Sequence, residues 1–173
     1  MSSLVAVFRR FPKDLFRVNN GLQVQLREWS PKRRVFDIKV SDRWVKPLAL
    51  DPLSYQAPNG ASMRPNSPYQ QQLVSRLFKG RDVIVYSIPA GTHLPEHLLL
   101  VHERSDHYSL QPAKAMRLQG NSVDSKTTPS LTATDLNEHI TDFFWRNAAV
   151  YTREQWLQAY PSPTDFTHPR GPR

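Results

Sequence analysis

Four of the six histidines lie within residues 88–116, at positions 93, 97, 102 and 107. Imidazole side chains suit either metal binding or acid–base chemistry near neutral pH. The chain has no cysteine and no His-Glu-x-x-His motif, and positions 93 and 97 flank Pro95 in a predicted loop. We therefore expect no metal site, and interpret His93, His97 and His102 as loop and surface residues.

Other common catalytic motifs are missing from the sequence as well. It contains neither the Gly-x-Ser-x-Gly of a hydrolase elbow nor the Gly-x-Gly-x-x-Gly of a dinucleotide fold. A dispersed set remains: Arg17 in DLFRV, Ser62 in PNGASMRP, and His107 with Tyr108 in HYSLQPA. This set fits enzymes that split the nicotinamide–ribose bond of NAD. Such enzymes need a cation for the pyrophosphate, a polar group that holds the ribose and the amide, and an aromatic surface under the nicotinamide.

Local patterns predict the elements that carry these residues. Residues 14–18 form a predicted strand with Arg17 inside it, ended by the Asn19-Asn20-Gly21 turn signal. Residues 98–103 and 107–111 are predicted to pair as a hairpin, with His107 and Ser109 on one strand face. The alternation at 35–40 predicts another strand, and residues 83–88 a buried one. Three prolines make residues 47–58 a predicted irregular segment.

Helix signals occur at three places. Ser67-Pro68 predicts a helix start, with an apolar face that includes Tyr69 and a stop at Gly80. Thr134 or Asp135 is expected to cap a second helix. Thr152 with Gln155 has the spacing of a capping box for a third.

Length and composition predict a single domain over residues 1–160, interrupted by a polar insert at 119–131. A Pro-rich, disordered tail is predicted at 161–173. No apolar run approaches the ~20 residues of a membrane span, and the N-terminus lacks a signal-peptide pattern. We expect a cytoplasmic protein without a cleaved signal and without a membrane partner.

Positive charge is concentrated in the first third of the chain. Of the net charge of +8, residues 1–50 carry +7, from 11 Lys/Arg against 4 Asp/Glu. Such a surface attracts nucleic acid, an acidic partner or an anionic small molecule, and it can also simply aid solubility. Trp29, Phe36 and Trp44 lie among these charges, so a nucleic-acid-directed toxin remains an alternative.

Three blocks in order carry a family resemblance: the LFR strand, PNGASMRP, and IPAGTHLPEHLLLVHE with DHYSLQPAKAM. Together they resemble the ADP-ribosyltransferase-like toxins typified by the exported effector two of bacterial type VI secretion, and their fungal relatives. The resemblance spans about residues 14–144 and is continuous from 59 to 116. It implies an α+β fold with a split, bent β core and a few flanking helices.

The resemblance also implies function. NAD would be the substrate of an ADP-ribosyltransferase or NAD glycohydrolase that acts on an intracellular acceptor, either protein or nucleic acid. An immunity protein and export by a non-Sec route are further implications. A catalytically inert NAD-binding module of the same fold is the alternative within the family.

By position, the resemblance assigns catalytic roles to Arg17, Ser62 and His107. Arg17 would hold NAD, Ser62 would support the nicotinamide–ribose side, and His107 matches the histidine that members of the family need for toxicity. The candidate NAD-binding residues are Arg17, Asn19, Gly60, Ser62, Arg64, Tyr69, His107 and Tyr108.

Two features of this set remain open at the sequence level. For Tyr69 and Tyr108 we favour the interpretation as core aromatic residues. The Gln/Glu-x-Glu motif of many transferases is missing; Glu103 and Glu138 are available, but neither has a supporting pattern, so His107 is expected to substitute.

Overall fold

Alternating and β-branched apolar runs form the strands of two antiparallel sheets in the computed structural model, which describes residues 5–119 and 135–163. One sheet has four strands in the order β1-β5-β6-β3, and the other has three in the order β2-β4-β7. The strands are β1 Ala6–Phe8, β2 Leu15–Asn20, β3 Ala61–Met63, β4 Val83–Ile88, β5 Leu98–Arg104, β6 His107–Pro112 and β7 Ala149–Thr152. The helices are α1 Pro68–Gln72, α2 Leu136–Asn147 and α3 Arg153–Ala159. The expected α+β fold with a split β core is confirmed.

The two sheets meet at a seam between β2 and the end of β3. Phe16 and Arg64 exchange both main-chain hydrogen bonds there, with N–O distances of 2.7 and 2.9 Å. A backbone bridge of this kind fixes the two sheets against each other. Side chains from the neighbouring positions 17 and 62 are therefore brought together at the seam.

Each strand of the β5–β6 hairpin has one apolar and one mixed face. Leu98, Leu100, Tyr108 and Leu110 belong to the main core, which α2 completes through Ile140 and Phe144. On the other face, Leu99 and Val101 pack against Ala49 and Tyr55. The irregular segment 47–58, with a short 3-10 turn at Leu48–Leu50, thus covers the face that also carries the polar residues of β6.

Local signals account for most element boundaries. Ser67 caps α1 by accepting from Gln70 N, and Thr152 and Gln155 form the capping box of α3. Asp135 precedes α2 as expected, while Thr134 lies outside the described residues. The Asn19-Asn20-Gly21 turn is confirmed by a left-handed φ of 75° at Gly21.

Two local predictions are wrong. The predicted strand at 35–40 is reduced to a single bridge from Ile38 to Glu28, because the Asp37 carboxylate accepts from the Arg27 main-chain N–H and side chain. The predicted helix that starts after Ser67 is present, although α1 passes into a π-helical turn, Leu73–Leu77, and ends before Gly80. Tyr69 is 47% exposed, so it is not a core residue.

The polar insert, from residue 120 onward, and the tail, from residue 164 onward, lie outside the described residues. Within the part of the chain that is described, no helix is long and apolar enough to cross a membrane.

Candidate active site

A cleft of about 720 Å³ opens where the two sheets meet. This volume lies in the range of small-molecule and cofactor sites. β2, β3, β6 and α1 contribute to its walls. Six of the predicted site residues line it: Arg17, Asn19, Ser62, Arg64, Tyr69 and His107.

His107 and Ser62 are in direct contact at the bottom of this cleft. β3 pairs with β6 so that Ser62 lies opposite Ser109, and His107 projects from the same sheet face two residues away. The imidazole Nε2 of His107 lies 2.9 Å from Ser62 Oγ in a hydrogen bond. His107 is only 7% exposed, so its ring is held in a desolvated environment.

Glu103, on the facing strand of the hairpin, contacts the other nitrogen of the same imidazole. Glu103 Oε2 lies 2.7 Å from His107 Nδ1, and the carboxylate side chain is 2% exposed. The second oxygen, Oε1, accepts hydrogen bonds from Ser109 Oγ at 2.8 Å, from Gln111 Nε2 at 3.0 Å and from the hydroxyl of Tyr55. A buried carboxylate with this many donors is stabilised in its ionised form.

The protonation states follow from these contacts. Burial opposes ionisation of Glu103, but His107, Tyr55 and Ser109 outweigh it and hold the pKa of the carboxyl below its usual value. Burial, together with the Glu103 charge, raises the pKa of Tyr55, so that the phenol keeps its proton. A carboxylate beside Nδ1 favours the imidazole proton on that nitrogen, which leaves Nε2 free to accept from the Ser62 hydroxyl.

This Ser–His–Glu relay can move a proton. With Nε2 as the acceptor, His107 can take a proton from Ser62 or from a nucleophile that replaces it, while Glu103 stabilises the resulting imidazolium. The same geometry can orient a substrate hydroxyl through Ser62. A substrate that carries phosphate would also need a cation in the cleft to bind its negative charge.

Arg17 provides one such cation. It projects from β2 into the cleft, donates from Nη1 to Ser62 O at 3.0 Å and from Nε to Asn19 Oδ1 at 3.3 Å. Burial lowers the pKa of Arg17 to about 10, so the guanidinium stays charged at neutral pH. Asn19 also donates to Gly21 O and Gln23 O, and its amide therefore ties the turn after β2 to the orientation of Arg17.

Arg64 provides the second cation on the opposite side of the seam. Its guanidinium carbon lies 4.8 Å from the centre of the Tyr69 ring, and its Nε is 3.8 Å from Asp106 Oδ1. Burial lowers the pKa of Arg64, with Asp106 opposing the shift. Nε is buried without a hydrogen-bond partner among the described residues, so the cleft contains an unused donor of the kind that phosphate oxygens accept from.

Two predicted site residues lie away from the cleft. Tyr108 is on the opposite face of β6, 4% exposed, with its ring stacked 4.3 Å from that of His102. Gly60 packs against β6: a Cβ at this position would lie 2.1 Å from Leu110 O. The glycine is thus required for strand packing and leaves no surface for a ligand.

The other histidines of the described residues lie in different surroundings, and His102, interpreted from the sequence as a loop or surface residue, lies in β5. His93 is exposed, whereas the rings of His97 and His139 lie 3.8 Å apart where α2 meets the start of β5. No group of three or more His, Asp or Glu side chains within residues 5–119 and 135–163 has the geometry of a metal site.

Sequence reasoning noted Glu103 without assigning it to the site, and it missed Tyr55. A usable signal existed for Glu103. In a strand, residue 103 lies on the same face as the apolar residues 99 and 101, and the short hairpin turn that follows brings this face next to His107. Tyr55 had no such signal, since it comes from an irregular segment 48 positions away.

Comparison with known proteins identifies the family of the chain. No curated protein and no solved structure gives a significant match to the chain. A family model described as the Tse2 ADP-ribosyltransferase toxin matches residues 13–156, most of the chain. The chain therefore belongs to this family of ADP-ribosyltransferase toxins.

Proposed function

We propose that the protein is an NAD-dependent ADP-ribosyltransferase whose active site is the cleft at the seam of the two sheets. The observation that carries the proposal is the Ser62–His107–Glu103 relay at the bottom of a cleft that also holds Arg17 and Arg64. Family membership supports the transferase class; the substrate and the residue roles are part of the proposal.

Arg17 and Arg64 would neutralise the pyrophosphate of NAD. Arg64 belongs to the Phe16–Arg64 bridge, and Arg17 follows Phe16 in β2. The Nε of Arg64 has no hydrogen-bond partner among the described residues and is suited to a phosphate oxygen. Tyr69 is half-exposed at the mouth of the cleft beside Arg64, where its ring can stack against a nucleotide or nicotinamide ring.

The reaction would break the bond between ribose C1′ and the nicotinamide nitrogen, whose electron pair leaves with nicotinamide. His107 and Ser62 would hold a ribose hydroxyl and take the proton of the attacking nucleophile at Nε2. Glu103 would stabilise the imidazolium and supply the negative charge near the oxocarbenium-like transition state. In this proposal, Glu103 replaces the Glu of the missing tripeptide.

The test is incubation of purified protein with NAD labelled on the adenylate phosphate, with and without cell lysate. We expect nicotinamide release and label transfer to a lysate component for the wild type. We expect loss of both for His107→Ala and Arg17→Ala, and no loss for His93→Ala, a histidine exposed outside the cleft.

Each alternative gives its own pattern. Nicotinamide release without a labelled acceptor identifies an NAD glycohydrolase, and NAD binding without release identifies an inert module. Activity retained by folded His107→Ala and Arg17→Ala proteins would reject the site. Growth arrest on expression inside cells, abolished by His107→Ala, would support an intracellular target.

A further inference from the structure

A second groove, of about 830 Å³, lies beside the candidate active site. We call it the basic–aromatic groove; the residues of its lining used below are Arg27, Arg33, Arg43, Trp44 and Arg117. Arg27 also lines the active-site cleft, and so does the neighbouring Gln25. A ligand in the groove would therefore reach the cleft directly.

The groove belongs to the most basic part of the chain. Residues 27–46 contain seven Lys/Arg and three Asp/Glu. Asp37 neutralises Arg27 through a bidentate pair, with Nε–Oδ2 and Nη2–Oδ1 distances of 3.0 Å. Glu28 and Asp42 also line the groove, but among the described residues neither forms an ion pair with one of its arginines. With Arg27 neutralised by Asp37, three arginines and two carboxylates remain in the lining, which leaves a net charge of +1.

Exposed tryptophan accompanies these cations. Trp44 is 41% exposed and has the Arg117 guanidinium 5.7 Å from its ring centre. Just beyond the groove, Trp29 is 46% exposed with Lys39 Nζ at 5.7 Å. A surface that only aids solubility needs charge but not exposed indole rings. Cations interleaved with aromatic faces are what nucleic-acid strands bind, through phosphates and stacked bases.

Backbone strain at the rim presents one of the arginines. Ser41 and Trp44 exchange both main-chain hydrogen bonds, and the two residues between them, Asp42 and Arg43, have φ of 52° and 69°. Turns of this geometry prefer glycine or asparagine at these positions, and arginine there costs conformational energy. Strained positions of this kind concentrate at functional sites.

We propose that single-stranded nucleic acid binds in the basic–aromatic groove and is the acceptor of ADP-ribose. The acceptor step rests on the proposed function above; the binding step does not. A nucleophilic oxygen or nitrogen of the strand would bond to ribose C1′ as nicotinamide leaves with the electron pair of the broken bond. The proton of the nucleophile would pass to His107 Nε2.

Binding is tested with the full-length protein and fluorescein-labelled 12-nucleotide single strands of DNA and RNA, by anisotropy. Arg33, Arg43 and Arg117 form no ion pair among the described residues, and one phosphate contact from each predicts a slope of about −2 for log K against log salt. Trp44→Ala is expected to weaken binding roughly 5- to 100-fold, the range of one lost base stack. A duplex of the same sequence should bind more weakly, because its bases are not free to stack.

Arg43→Gly separates binding from folding. The substitution removes one phosphate contact and relieves the strain of the left-handed backbone at this position. The affinity and the magnitude of the salt slope should therefore decrease, while the melting temperature should not. Arg81→Ala, an exposed arginine outside the groove, is the matched control for loss of charge and should bind like the wild type. Absent binding at low salt, or binding unaffected by Trp44→Ala and Arg43→Gly, would overturn the proposal.

Transfer is tested by adding the same strands to the labelled-NAD reaction. A labelled strand, reduced in Trp44→Ala while nicotinamide release persists, supports the acceptor step. Labelled lysate protein with unlabelled strands overturns it. If no nicotinamide is released at all, the proposed function fails, and the anisotropy result alone still decides whether the groove binds nucleic acid.

Discussion

Replacing Glu103 with Gln changes one charge at the centre of the candidate site and almost nothing in shape. The carbonyl oxygen of Gln can still accept from Ser109, Gln111 and Tyr55, which all contact Oε1 of Glu103. The amide nitrogen would then face His107 Nδ1 and donate to it. This reverses the imidazole tautomer, and Nε2 can no longer accept from Ser62.

The size of the effect follows from the 2.7 Å contact between Oε2 and Nδ1. Opposite unit charges whose centres are about 4 Å apart attract by about 4 kcal/mol at an effective dielectric constant of about 20. An amide dipole recovers part of this, which leaves about 2–4 kcal/mol for the imidazolium in the transition state. That range corresponds to a roughly 30- to 1,000-fold lower kcat.

The assay is nicotinamide release from NAD, with kcat and KM measured separately, and Glu138→Gln on the exposed face of α2 as the control. We expect kcat to fall in Glu103→Gln with little change in KM, because Arg17 and Arg64 are untouched. The nitrogen NMR shifts of His107 should show the exchanged tautomer. A folded Glu103→Gln protein with kcat within threefold of the wild type would refute the reasoning.

Three further predictions concern stability. Tyr55→Phe removes a donor to the Glu103 carboxylate and should lower the free energy of unfolding by about 1.5–3 kcal/mol in urea titrations; a loss below about 0.5 kcal/mol would contradict it. Gly60→Ala places a Cβ 2.1 Å from Leu110 O, and the forced separation of β6 should cost about 1–3 kcal/mol in the same titrations, whereas wild-type stability would show that the strands separate freely. Burial lowers the pKa of His97 and His139 below 6.5, with Lys114 adding to the shift. The unfolded chain therefore binds more protons than the folded chain, and the free energy of unfolding should fall as pH drops below about 6.5. The fall should be less steep in a His97→Gln/His139→Gln double variant, and an equal pH dependence of the two proteins would contradict this prediction.

Patterns with a short sequence range predicted the fold well. Alternation identified the β5–β6 hairpin and the face shared by His107 and Ser109, and capping residues identified the starts of α1 and α3. These features depend on neighbours a few residues away. The family resemblance then assigned Arg17, Ser62 and His107 to one site, and all three residues line one cleft.

Features that depend on distant contacts were not predictable. The strand expected at 35–40 failed because a buried carboxylate, Asp37, binds Arg27 ten residues earlier. Tyr69 was assigned to the core by burial statistics, but its ring lines the cleft and lies against the Arg64 guanidinium. Tyr55 joins the Glu103 network from an irregular segment, where no periodic pattern exists.

The charge distribution of the sequence was also only partly informative. The excess of Lys/Arg in the first third was compatible with an anionic partner or with a solubilising surface. Only the fold places Arg117 beside Trp44 and connects their groove to the candidate site. Composition thus predicted that the surface is basic but not where its charges lie.

The central claim, that the cleft between Arg17, Ser62 and His107 is the NAD site, is tested most directly by NMR of the histidine side chains. The protein would be titrated with an NAD analogue that cannot lose nicotinamide. We predict saturable shifts of the His107 ring signals with those of the exposed His93 unchanged, and loss of these shifts in Arg17→Ala. Saturation that leaves the His107 signals unmoved would contradict the account.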